Sequence, residues 1–189
     1  MRKIFLPAAG FLAAATLAGP ASAHTGGAVS GLTAGLAHPF LGLDHLLVML
    51  AVGLWAAAQP AVRAWRGPAL FLALLAVGGL TGLAGGALPF VEPGILASVV
   101  VLGAMVFAAR RLPAGLGLAV LGGFALLHGQ AHGAEAVGGL GGYFVGFLAA
   151  SAGLHLGGFA AGQMLARWRY GLPAAGLGLG LAGLALVAG

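Results

Sequence analysis

The sequence predicts an all-α fold, a polytopic membrane protein with a six-helix transmembrane bundle behind a cleaved signal peptide. Three observations carry that reading. Of 189 residues, 61% are hydrophobic and only 6% are charged, against roughly 25% charged in soluble domains. Eight basic and three acidic side chains cannot cover a water-facing surface. The apolar stretches show no period-two alternation, which argues against a transmembrane barrel. Glycine reaches 37 residues with no G-x-y period, a density suited to helices packed closely in a bilayer. An ordinary soluble enzyme and a disordered chain are thereby excluded. The basic residues stand singly or in pairs and form no patch, so a nucleic-acid partner is not expected. With no cysteine, neither a disulfide framework nor thiolate chemistry is available.

The elements follow in order. Arg2 and Lys3 precede an apolar run over residues 4–18, and Gly19-Pro20 breaks it before Ala21-Ser22-Ala23. That is a bacterial-type secretory signal with an A-x-A cleavage site, too short for a membrane span. Residues 1–23 are therefore expected to leave, and residues 24–189 to form a single transmembrane domain starting at His24. Charge-free stretches then place helices near 40–59, 68–89, 93–110, 113–133, 141–166 and 172–188, a span needing about 20 apolar residues. Pro60, Pro68, Pro89, Pro93, Pro113 and Pro173 fall at these boundaries, where proline starts or stops a helix.

The remaining arginines set the orientation. Arg63 and Arg66 follow the first helix, Arg110 and Arg111 the third, Arg167 and Arg169 the fifth. Alternate loops share one side, and positive residues mark it as cytoplasmic. The mature N-terminus and the C-terminus are then periplasmic, as the signal independently requires, and the protein lies in a bacterial inner membrane. Trp65 and Trp168 beside the arginines fit interfacial anchors.

The other polar residues gather at the opposite side. His38, Asp44 and His45 stand at the start of the first helix, His128, His132 and Glu135 at the end of the fourth. Glu92 falls in the loop between the second and third helices, where a solvated charge is unremarkable. His128, His132 and Glu135 at i, i+4 and i+7 share one helix face. His38 precedes Pro39, which disfavours helical geometry and places His38 at the lip, ahead of the helix proper. Asp44 and His45 point about 100° apart on a helix. Either a neighbouring helix meets both, or Asp44 orients an imidazole instead of ligating. Intramembrane ionisable groups are costly and mark pathways, so these six residues form a candidate metal site. His155 deep in the fifth helix, His24 at the new N-terminus and Met49 one turn after His45 are lesser candidates; packing is the plainer role for Met49. Imidazole with a few carboxylates suits nickel, cobalt, zinc or copper(II).

At this point a resemblance enters. His38-Pro39-Phe40-Leu41-Gly42-Leu43-Asp44-His45, followed by Met49 and Val52-Gly53-Leu54-Trp55-Ala56, resembles the signature of the HupE/UreJ family. Leu127-His128-Gly129-Gln130-Ala131-His132-Gly133-Ala134-Glu135 resembles its second motif, with Leu127 where phenylalanine is usual. The resemblance implies a permease for nickel, next cobalt, serving a hydrogenase, urease or cobalamin maturation system. It assigns metal handling to His38, Asp44, His45, His128, His132 and Glu135. The expected partners are the divalent ion and the lipid bilayer; no enzyme activity and no permanently bound cofactor is expected. Two rival classes are a non-transporting metal-binding accessory or sensor protein and a haem-binding electron carrier. Ser151 and His155 stand one turn apart, but neither G-x-S-x-G nor H-E-x-x-H accompanies them.

Overall fold

The computed structural model describes residues 31–85 and 89–189. The signal segment and His24 lie outside the described residues. Among these there are seven α-helices and no strand: α1 Gly31–Leu41, α2 Leu43–Ala57, α3 Arg66–Leu83, α4 Val91–Phe107, α5 Ala114–Ala134, α6 Leu140–Leu165 and α7 Gly171–Ala188. A short 3-10 turn, Ala61–Arg63, links α2 to α3. The described residues form an all-helical membrane protein. Four of its helices are long and apolar enough to cross a bilayer, or five if α1 and α2 form one bent span. Helix α4 is apolar but has 17 residues.

The first helix differs most from the sequence reading. In place of one helix over 40–59 there are two, bent by 84° at Gly42. His38 lies inside α1, in its last turn, and not ahead of a helix. Pro39 is also inside α1. Its missing N–H and its ring would disrupt a helix that continued, but α1 stops two residues later. Proline thus marks the end of an extra helix, where the sequence suggested the start of the first. Glu92 is corrected similarly: it stands in the first turn of α4, where the positive end of the helix dipole favours a carboxylate. Helix α3 ends at Leu83, short of the expected 89.

Glycine explains how the helices pack. A Cβ on Gly129 would overlap the Leu75 carbonyl, one on Gly133 the Gly79 carbonyl, and one on Gly78 the Leu126 carbonyl. Helices α3 and α5 therefore touch backbone to backbone, running parallel. Gly53 meets the His155 carbonyl and Gly158 that of Leu50, which seats α2 on α6 in the same way. Gly103 and Gly176 join α4 to α7 antiparallel, with Phe107 beside Gly176. Such contact substitutes dispersion for the hydrophobic drive that lipid cannot supply. The packing also fixes the ends of the bundle. The turns after α2, α4 and α6 lie together and hold five of the six arginines of the described residues, with Arg66 opening α3 beside them; the start of α2 and the end of α5 lie at the other end. Trp65 and Trp168 are 65% and 60% exposed at the arginine end, in keeping with interfacial anchors.

Candidate metal centre

The site is built where the start of α2 meets the last turns of α5. Gly42 is extended, with φ −103° and ψ 121°, and the chain re-enters helix at Leu43. The Asp44 carboxylate then folds back on the opening turn. Its Oδ1 accepts the His45 backbone N–H at 2.7 Å and the ring Nδ1–H at 2.8 Å. One carboxylate oxygen thus satisfies a free helix-start amide and fixes the His45 ring. The room for this comes from Gly42, where a Cβ would fall 2.8 Å from that oxygen and 3.1 Å from His45 Nδ1. With Nδ1 donating, the lone pair of His45 is on Nε2, which is buried and has no hydrogen-bond partner.

His128 is held from another helix. Ser98 of α4 donates its single hydroxyl proton to the Ile95 carbonyl at 2.5 Å. Its oxygen lies 3.0 Å from His128 Nε2, so it accepts there, and His128 carries its proton on Nε2. The lone pair is then on Nδ1, again buried without a partner. His132 has neither ring nitrogen hydrogen-bonded. Its ring stacks on Phe147, with centroids 5.0 Å apart and planes at 26°. The rings of His45 and His128 stand 4.9 Å apart, those of His45 and His132 4.6 Å.

One nitrogen each from His45, His128 and His132 lies within 4.8 Å of the other two. Three nitrogens each about 2.1 Å from one ion stand about 3.4 Å from one another in tetrahedral geometry, so the rings must close by roughly an ångström to share it. His128 and His132 are fully buried. Leaving a buried polar atom unpaired costs about 1–3 kcal/mol, and several in one place point to a ligand.

The other sequence candidates are placed as follows. His38 stacks edge-on to His132 at 4.6 Å and pairs through Nε2 with Glu135 Oε2 at 3.2 Å. That pair forms the rim of the cluster. Glu135, on the same helix face as His128 and His132, is 54% exposed and faces His38. The hydrogen bond from His38 holds its carboxyl below the usual glutamate value of 4.5, against the opposing effect of partial burial. Glu135 and Glu92 both line a recess of about 200 Å³ beside the rim. Asp44 adopts the orienting alternative, with its oxygen on His45. Met49 is fully buried in the apolar core. His155 is brought to a different place, half-way down α6, with its ring 5.4 Å from Phe71.

Sequence reasoning missed Ser98 and Phe71. For Ser98 a signal was present, since it is the lone hydroxyl in α4. For Phe71 there was none; an aromatic in a membrane helix is ordinary.

Two findings connect this arrangement with known proteins. The family model described as HupE / UreJ protein matches residues 12–186. The chain belongs to the HupE/UreJ family. It is also 41% identical over 188 residues to Protein HupE of Rhizobium leguminosarum bv. viciae, covering 94% of this chain and 95% of that one. Members of this family are accessory transport proteins and not enzymes. No solved structure matches the chain. Both motifs that carried the resemblance contribute to the three-imidazole cluster, His45 from the first, His128 and His132 from the second.

Proposed function

We propose that this protein is a permease that carries a divalent transition-metal ion from the periplasm to the cytoplasm, nickel first and cobalt next, for metalloenzyme maturation. The observation that carries the reading is the convergence of three imidazoles from two helices, each with a buried ring nitrogen that has no hydrogen-bond partner. Nitrogen donors of this kind suit nickel, cobalt, zinc or copper(II), and membership of a hydrogenase- and urease-related family favours the first two. The recipient is then a hydrogenase, urease or cobalamin maturation system.

In this reading residues 1–23 are a removed signal peptide. The bent α1–α2 pair is one span, and α3 to α7 supply five more. The arginine end faces the cytoplasm, and both termini are periplasmic. A hydrated ion reaches the recess between Glu92 and Glu135, passes the His38–Glu135 rim and exchanges water for His45, His128 and His132. An inside-negative potential favours inward movement of a doubly charged ion by about 4.6 kcal/mol per 100 mV. Downhill uptake needs no further energy source. Binding stays modest, because a tight closed site would trap the ion.

The test is reconstitution in liposomes holding a metal-sensitive dye, with nickel, cobalt, zinc and copper offered outside under an inside-negative potential. Nickel and cobalt should enter faster than into protein-free liposomes. Binding to the purified protein without any uptake would overturn transport and favour an accessory or sensor role.

A further inference from the structure

Beside the cluster, one aromatic side chain contacts both a cluster imidazole and a second group of buried polar residues. Phe71 of α3 is fully buried. Its ring stands 6.2 Å from that of His128 and 5.4 Å from that of His155. His155 is 2% exposed, and neither of its ring nitrogens has a hydrogen-bond partner. Ser151, one turn earlier on the same face of α6, is fully buried with an unpartnered hydroxyl. His155 also lines a mainly apolar recess of about 480 Å³ with Ala61, Trp65, Pro68, Leu72 and Phe159. Ala61 and Trp65 place that recess at the arginine end of the bundle. Tyr143, Phe147, Ser151 and His155 recur every four residues, a ridge that winds about 120° round α6 from the rim past His132 toward this recess.

We propose that Phe71 is the gate of the path, and that Ser151 and His155 form a second, inner station for the ion, which empties into this recess. This rests on the permease reading and deepens it. An apolar ring between two polar chambers excludes water, and an ion crosses only when the ring turns aside. Three imidazoles on one side exchange the ion to a single imidazole and a hydroxyl on the other. A weaker inner site favours release, since conduction needs binding that is easy to leave. The unpaired atoms of Ser151 and His155 explain why buried polar groups persist in an apolar helix.

Two measurements on the whole protein test this. Equilibrium dialysis of detergent-purified protein against nickel alone reads occupancy. Wild type should hold a second, weaker ion that His155→Ala loses, while the tighter ion, lost in His132→Ala, remains. Identical nickel occupancy in wild type and His155→Ala overturns the inner station, whether or not the protein transports. Dye-loaded liposomes read the gate. Phe71→Ala should raise nickel uptake about tenfold and Phe71→Trp should lower it by a similar factor. Both variants should retain the tight ion, which also reports correct folding. Uptake at the wild-type rate in both, with the tight ion still bound, overturns the gate alone. No uptake by wild type or by either variant overturns the permease reading and the gate with it, while dialysis still decides the inner station.

Discussion

The three-imidazole cluster and His155 are both buried histidine chemistry, but two of the three cluster rings are held by hydrogen bonds, whereas His132 and His155 are held by packing. In the cluster, Asp44 fixes the proton of His45 on Nδ1 and Ser98 fixes that of His128 on Nε2, so two lone pairs have set directions. His155 touches Phe71 and has no hydrogen-bond partner at either nitrogen. A ring held by a hydrogen bond is a preorganised ligand; a ring held by packing alone can turn. On the permease reading proposed above, the difference separates a place that selects an ion from a place that passes it on.

The sharpest break of this comparison removes a cluster ligand. His45→Ala and His132→Ala should each abolish nickel uptake while the protein still reaches the membrane, checked by radioactive uptake beside immunodetection in membrane fractions. Near-normal uptake in either variant would take that residue out of the path. His155→Ala should leave the tight ion in place and slow only its passage.

The supports of the cluster come next. Ser98→Ala removes the acceptor that fixes His128, and Asp44→Ala the one that fixes His45. Each should weaken nickel binding by about 10- to 100-fold, the usual effect of losing a ligand's hydrogen-bond partner. Calorimetric titration of the purified protein measures this. Unchanged affinity in both would mean that the two tautomers are set by something else. Asp44→Asn separates charge from geometry, since its carbonyl oxygen can still accept the Nδ1–H.

These supports also show what could be read from the residues alone. Charge spacing gave the later helices to within a few residues, because apolar length and arginine position act locally along the chain. The i, i+4 pair of His128 and His132 was legible for the same reason. The 84° bend was not, because proline before a helix start and proline at a helix end look alike in one dimension. The role of Ser98 depends on α4 lying against α5, a contact between helices that no periodicity reports. Asp44 was half legible: helix geometry offered it either as a ligand or as an orienting group, and only the bent backbone at Gly42 selects the second.

A smaller effect is expected at Gly42 itself. A Cβ there falls 2.8 Å from Asp44 Oδ1, closer than neighbouring atoms allow. Gly42→Ala should therefore displace the Asp44–His45 pair without removing a ligand. Nickel affinity should drop by less than in Asp44→Ala, and a combined Gly42→Ala, Asp44→Ala variant should lose little more than Asp44→Ala alone. Additive losses would show that Gly42 acts on the bend and not through Asp44.

The smallest effect lies at the rim, and pH distinguishes it from the cluster. Protons compete with metal for imidazole nitrogen, so uptake should fall as the outside medium is acidified. Glu135 cannot cause that fall. Its carboxyl is held below 4.5, chiefly by the hydrogen bond from His38, so its charge is present above that value and is lost only as pH falls through a lower one. Glu135→Gln should reduce nickel uptake by roughly two- to threefold at neutral pH, the scale of an exposed ion pair, and leave the acid fall where it is. A rate profile of the variant from pH 8 to 5 that became flat would transfer the acid sensitivity to the His38–Glu135 rim, and with it the selecting role that the held imidazoles are given above.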